Sequence, residues 1–509
     1  MPTQNNLHLS VDIERLCTRF RWIVLITLLA FSSVGCAANA TAKARPAPGP
    51  ADDLLQLKDL VRVRHVMQAS PSPTGAHNAY LLRVPRVPFV DDDGPAFTEL
   101  HILSGDEEPR PFITGKVSIR NIGWSPNGKG VSFIAKRKGD TYPSLYWISL
   151  SGGEALRIVG HEAGIQGYDW HPSGEKMVFV GHGPEDKKKK GLQKKGFKAQ
   201  IVEEDMKASR LWISDVADSV HTSARSPHDE PKARELPLKG SVSDPRWSPN
   251  GARIAVAVAP TPLIDDYFMN RKIVILDGES RKELVRIDVP GKLGSFRWSP
   301  DGKAIAMTAG VDRYDSTPGR LLLADALTGK LKNLLPGLGG DVKSFCWNGN
   351  DNLNLIVDVG TRTHLATLSL KGGGKPEIQK EPLPFVAWNY GFSADGKIAA
   401  AGGSQAHHAA EVYTVNLATG AAKRRTNHNP WLDKIRMGKQ ETIRYKAADG
   451  LEIEGVLIHP VKRKKKERVP LIVAVHGGPE SHITDGWLSW YATPGQVFAG
   501  RGFAVFYPN

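Results

Sequence analysis

The stretch Trp298-Ser299-Pro300-Asp301-Gly302 carries the fold, because the chain repeats it. Close copies stand at Trp124-Ser125-Pro126-Asn127-Gly128 and Trp247-Ser248-Pro249-Asn250-Gly251. Weaker copies are Trp170-His171-Pro172-Ser173-Gly174, Trp347-Asn348-Gly349-Asn350 and Phe392-Ser393-Ala394-Asp395-Gly396, with a degenerate first one at Ser72-Pro73-Thr74-Gly75. Counted from the residue after the aromatic, the seven start at 72, 125, 171, 248, 299, 348 and 393. The spacings are therefore 53, 46, 77, 51, 49 and 45 residues.

Each copy reads as a tight turn. Proline presets φ at the first corner, Asn or Asp tolerates the second, and glycine accepts positive φ. A strand-like run follows, as in Val131 to Ala135, Lys176 to Val180 and Arg253 to Val258. Apart from the 77, the period is that of a four-stranded propeller blade, roughly 40 to 50 residues. Seven copies predict an all-β seven-bladed propeller over residues 53–432. The alternatives are a degenerate eighth blade or one irregular β-sandwich.

The long spacing holds an insertion with Lys187-Lys188-Lys189-Lys190, Lys194-Lys195 and Glu203-Glu204-Asp205. A polybasic run can signal nucleic acid, but here no aromatics interleave and no nucleic-acid-binding signature accompanies it. It reads as a solvated loop, as does Lys462-Arg463-Lys464-Lys465-Lys466. The net charge of +14 over 509 residues is concentrated in these two places, and no nucleic-acid partner is expected.

Toward the N-terminus, Arg15, Arg19 and Arg21 precede a short apolar run from Trp22 to Val34, followed by Ala38-Asn39-Ala40. A basic region, a short apolar core and a small-residue cleavage site describe an export signal over residues 1–40. Val34-Gly35-Cys36 also resembles the end of a lipoprotein cleavage box, which would place lipid on Cys36, although Ser33 stands where that pattern prefers a large aliphatic residue. The expected location is periplasmic or extracellular, touching membrane only through the signal or that lipid. Residues 41–52 read as a Pro/Ala linker. With only 3 Cys and no Cys-x-x-Cys, neither a disulfide framework nor a structural zinc site is expected.

Toward the C-terminus the pattern changes. Glu441 to Tyr445 and Leu451 to Ile458 alternate around Asp449-Gly450, a hairpin signal. Leu471 to Val475 is a continuous apolar run that predicts a strand buried on both faces of an α/β sheet. It leads into His476-Gly477-Gly478-Pro479, then a segment from Trp487 to Ala499 that predicts a helix interrupted near Pro494-Gly495, then a strand from Phe503 to Tyr507. Strand, glycine loop, helix and strand open a doubly wound α/β fold over residues 438–509.

A propeller with these turns, followed by the hairpin and by Val469-Pro470-Leu471-Ile472-Val473-Ala474-Val475-His476-Gly477-Gly478-Pro479, resembles the prolyl oligopeptidase family of serine peptidases, in particular its acylaminoacyl-peptidase and dipeptidyl-aminopeptidase branches. Asp53-Leu54-Leu55-Gln56-Leu57-Lys58 resembles the segment these branches place before the first blade. The resemblance implies a propeller joined to an α/β-hydrolase domain that cleaves short peptides through an acyl-enzyme. It implies that His476, Gly477, Gly478 and Pro479 form the oxyanion loop, with the Gly478 N–H as donor. The nucleophile should stand in Gly-x-Ser-x-Gly, and the nearest approach, Gly402-Gly403-Ser404-Gln405-Ala406, lacks the last glycine. The Ser, Asp and His are thus expected beyond Asn509, and these 509 residues alone are expected to be a C-terminally truncated, inactive form. Glu203 and Glu204 resemble the acidic pair with which dipeptidyl-aminopeptidases hold a substrate's amino terminus, in a context that does not match that motif. His161, His407, His408 and His428 lack metal-ligand spacing, so neither metal nor cofactor is expected. The alternative functions are a non-catalytic binding or scaffold propeller and an esterase.

Overall fold

The computed structural model describes residues 53–183, 187–199, 201–216, 233–371, 375–464, 466–478 and 481–509. The predicted signal, the whole linker, Cys36 and Pro479 lie outside them. The fold is mostly β, with few and short helices, and its four-stranded sheets are those expected of a propeller. Seven sheets each use four consecutive strands in sequence order: residues 65–113, 119–159, 165–236, 241–287, 293–333, 341–378 and 386–424, here called sheets one to seven. A final sheet orders its strands Gln440–Lys446, Glu452–Ile458, Ala504–Pro508 and Leu471–Val473, the last pair parallel.

Each motif copy is the turn between the first two strands of its sheet. In Trp298-Ser299-Pro300-Asp301-Gly302, the Gly302 N–H donates to the Ser299 carbonyl at 2.8 Å. The Ser299 hydroxyl donates to Asp301 Oδ1 at 2.7 Å, which also accepts the Lys303 N–H at 3.0 Å. The other full copies repeat this, with Ser125 on Asn127 and Ser248 on Asn250 at 2.8 Å and Ser393 on Asp395 at 2.7 Å. All seven motif glycines have φ between +68° and +78°, where a side chain would strain the backbone.

The motif tryptophan joins neighbouring sheets. The Trp124, Trp298 and Trp347 indole N–H groups donate to the carbonyls of Ser70, Arg246 and Arg297, each on the innermost strand of the preceding sheet, at 2.9, 3.2 and 3.4 Å. Trp170 reaches the same position indirectly, through the Ser132 hydroxyl bonded to the Gly123 carbonyl. Trp247 is the exception, its buried indole N–H having no described partner. Trp124→Phe should therefore cost about 1–2 kcal/mol more than Trp247→Phe, since both shrink a side chain but only the first orphans an acceptor. Urea unfolding midpoints of the two variants measure the difference.

Sheet one packs directly on sheet seven, so the succession of sheets closes into a ring. Val66, Ala69, Tyr80 and Leu82 form one buried cluster with Ala400 and Val412. Beside it lies a buried polar network. Glu411 accepts from the Thr426 hydroxyl at 2.6 Å and the His428 N–H at 2.8 Å, and the Tyr80 hydroxyl meets His428 Nε2 at 3.1 Å. Burial pushes His65 down to about 3 and both His408 and His428 down to about 4. These rings stay neutral in the folded chain while the unfolded chain binds protons below its ordinary value of 6.5. Stability should therefore be flat above about pH 7 and fall as pH drops from 6.5 toward 4, by up to about 1.4 kcal/mol per pH unit for each such histidine. Burial raises Glu411, which opposes the fall at its lower end. Melting temperatures between pH 8 and 5 measure this; a rise in stability on acidification would contradict it.

Several expectations are corrected. The spacing of 77 comprises two insertions in sheet three: residues 183–208, and 217–232, which lie outside the described residues. The lysine run is a helix, Lys187–Lys194, rather than a loop, although it buries no residue and is solvated as expected. The helix predicted from Trp487 is confined to Gly495–Gly500. Pro494 cannot donate, the Leu488 and Thr493 carbonyls accept from the Tyr507 hydroxyl at 3.0 and 3.2 Å, and the Ser489 hydroxyl caps the Gln496 N–H at 2.9 Å. Among the described residues the strand Leu471–Val473 is covered on one face only. It forms an edge of the final sheet, with Ile472 and Ala474 packed inward, while Leu471 and Val475 are 56% and 77% exposed.

Candidate active site

The parallel strand Leu471–Val473 continues for one residue, the Ala474 N–H donating to the Phe506 carbonyl at 2.8 Å, and then releases the chain into His476-Gly477-Gly478. His476 is half-buried, and its Nδ1–H donates to the Gly477 carbonyl at 3.3 Å. Gly477 is exposed, and a side chain there would meet nothing within 4 Å. Gly478 has φ +135°, a conformation open to glycine and strained for other residues. No described residue accepts a hydrogen bond from the N–H of either glycine. Two adjacent, exposed residues at the end of a parallel strand thus have amides that no described residue engages.

The chain beyond the glycines is fastened to sheets six and seven. The Asp485 N–H donates to the Thr361 carbonyl at 2.9 Å, and its carboxylate takes Arg362 at 2.5 Å and the Gln440 side-chain amide at 2.7 Å. His482 meets the buried Asp358 at 3.5 Å, and the Trp487 N–H donates to the Ser404 hydroxyl at 3.3 Å. Thr361 lies between the second and third strands of sheet six, at the end opposite the motif turns. The loop is therefore held at the end of the ring where the innermost strands begin. The opening segment helps fix this arrangement: Asn429 clamps the Arg64 N–H and carbonyl at 2.9 and 2.8 Å, and Arg436 pairs with Asp53.

The other expected site residues fall elsewhere. Glu203, at φ +70°, and Glu204 are exposed, and neither makes a hydrogen bond or ion pair with a described residue. They belong to the insertion that leaves sheet three at the same end of the ring, where the neighbouring Asp205 pairs with Lys189 at 2.7 Å. Among the described residues, no group of three or more His, Cys, Asp or Glu is arranged to hold a metal ion. Cys346 is buried, and its thiol is pushed up to about 12.

Over 464 residues the chain is 25% identical to dipeptidyl-peptidase 5 of Porphyromonas gingivalis, covering 87% of this chain and 66% of that protein. Over 424 residues it is 25% identical to the peptidase YuxL of Bacillus subtilis, covering 78% and 62%. The structure matches Pyrococcus horikoshii acylaminoacyl peptidase with a TM-score of 0.66 at 18% identity, over 89% of this chain and 66% of that one. These similarities support a place for the chain in the prolyl oligopeptidase family. No family model matches it. The chain spans a little under two thirds of the length of these curated relatives.

Sequence reasoning overlooked one feature of this ring. The residue before each motif aromatic, or before Pro71 in the first copy, is Ser70, Gly123, Asp169, Arg246, Arg297, Cys346 or Gly391, and the charged ones line the ring's interior. Aligning the seven copies one position further upstream would have displayed the two arginines.

Proposed function

We propose that this chain supplies the propeller and the oxyanion loop of a serine peptidase that cleaves short peptides by acyl-enzyme chemistry. In this reading the seven sheets are blades over residues 53–432, and residues 438–509 begin an α/β-hydrolase domain. The observation that carries it is the pair of amides at Gly477 and Gly478 that no described residue engages, with Gly478 at φ +135°. A carbonyl under attack by a serine becomes an oxyanion, and preorganised N–H donors stabilise that charge without reorganising. Histidine would accept the serine proton and return it to the leaving amine, and water would then release the acyl group. None of the serines among these 509 residues stands in a Gly-x-Ser-x-Gly elbow, so we assign nucleophile, Asp and His to other residues and expect these 509 alone to be inactive. The ring would admit peptides thin enough to pass its channel.

The reading includes export through residues 1–40, with a lipid on Cys36 as the alternative to cleavage after Ala40. Among the described residues no helix is long and apolar enough to cross a membrane.

The protein purified from its natural source, assayed on dipeptidyl and N-acylaminoacyl anilides and on matching esters, tests the activity. Amide hydrolysis with an acyl-enzyme burst supports a peptidase. Ester cleavage alone would mean an esterase, and no cleavage a binding propeller.

A further inference from the structure

Ser70, Gly123, Asp169, Arg246 and Arg297 hold equivalent positions at the ends of the innermost strands of sheets one to five. They line a single cavity of about 770 Å3 inside the ring. Two of the five are small, which leaves the space, and three are charged. The cavity's other charged lining group, Asp244, is committed to Arg271 at 3.0 Å. That leaves the guanidinium groups of Arg246 and Arg297 against one carboxylate.

Asp169 is itself partly engaged, Oδ2 accepting the Trp247 N–H at 2.8 Å. Arg246 donates through Nη1 to the Pro245 carbonyl at 3.0 Å, and its remaining donors are free of described acceptors. Arg297 makes no hydrogen bond or ion pair through its side chain with any described residue. Its guanidinium carbon lies 5.4 Å from the centre of the Phe392 ring, which leaves the planar N–H fork open. The side chain is exposed to the channel although protein surrounds it, and enclosure and Arg246 both lower its proton affinity. Two like charges lining one cavity, with open donors, are a device for binding an anion.

We propose that Arg246 and Arg297 form a carboxylate-binding site in the channel that takes the free C-terminal carboxylate of a short peptide. The choice of a peptide rests on the peptidase reading above; the oxyanion chemistry does not. Arginine's fork matches a carboxylate through two parallel bonds, and the cavity leaves length for the few residues that precede the terminus. Asp169 competes with the ligand for the same charges and so sets the affinity.

Equilibrium binding tests this without catalysis. Calorimetric titration of the 509-residue chain would compare N-acetyl-Ala-Ala, its C-terminal amide and inorganic phosphate at low salt. The carboxylate should bind at least about tenfold more tightly than the amide, and added salt should reduce that ratio. Arg297→Gln should bring the ratio close to one, while Asp169→Asn should raise it, a gain that misfolding cannot imitate. Equal binding of acid and amide, or a preference that survives the R246Q/R297Q double variant, overturns the proposal. Phosphate binding without peptide binding overturns the peptide assignment and leaves a site for a free small oxyanion. Failure of the peptidase reading leaves all of these outcomes unchanged, because none depends on turnover.

Discussion

In a peptidase that contains this loop, Gly478→Pro is expected to lower kcat by about 10²- to 10³-fold, a loss of about 3–4 kcal/mol of transition-state stabilisation. Proline removes the N–H and fixes φ near −65°, whereas the native backbone sits at +135°. The effect should fall on kcat rather than KM, because the donor is needed most when the carbonyl becomes an oxyanion. Folding should be spared, since the loop is exposed and a side chain at Gly477 would touch nothing within 4 Å. Steady-state kinetics beside a thermal melt separates the two effects. A kcat within threefold of the parent would remove Gly478 from the oxyanion site.

The largest stability effect is expected at the seam of the ring. A side chain at Gly402 would place its Cβ 2.3 Å from the Val66 carbonyl oxygen, and one at Gly391 would stand 2.4 Å from that of Ala69. The obstacle is backbone of sheet one in both cases, so neither contact is relieved by a rotamer change. Val66 adjoins a break in register within sheet one, and both residues belong to the buried cluster that closes the ring. Gly402→Val should cost about 3 kcal/mol, the upper range for overpacking a core. The urea midpoint should fall with the slope unchanged. Combining it with Gly391→Ala should give less than the sum, because both displace the same strand. A midpoint within error of the parent would mean that sheets one and seven are not held as described.

How far the fold was legible can be followed along the chain. The turns were fully legible, because Ser, Pro, Asn or Asp, and Gly each serve the turn locally, and every copy lies where the spacing placed it. The role of the tryptophan was not. Its indole bonds a residue some 50 positions earlier, as in Trp124 to Ser70, and no local pattern announces that. The hairpin around Asp449-Gly450 was legible for the same reason as the turns. The apolar run Leu471 to Val475 was legible as a strand, and its place at the edge of the final sheet among the described residues needed the fold. Of the site, the glycine loop was visible as a motif, whereas its free amides and its fastening to sheets six and seven needed the fold. The arginines were hidden because surface and channel arginines look alike in sequence. Only the ring brings residues 246 and 297 to one cavity.

We propose that the oxyanion donors belong to this chain and that none of its serines is the nucleophile. Treating the purified 509-residue polypeptide with a fluorophosphonate and mapping modified serines by mass spectrometry tests that directly. The predicted result is a folded chain with no phosphonylated serine; a single serine labelled stoichiometrically, and protected by a short peptide, would contradict it.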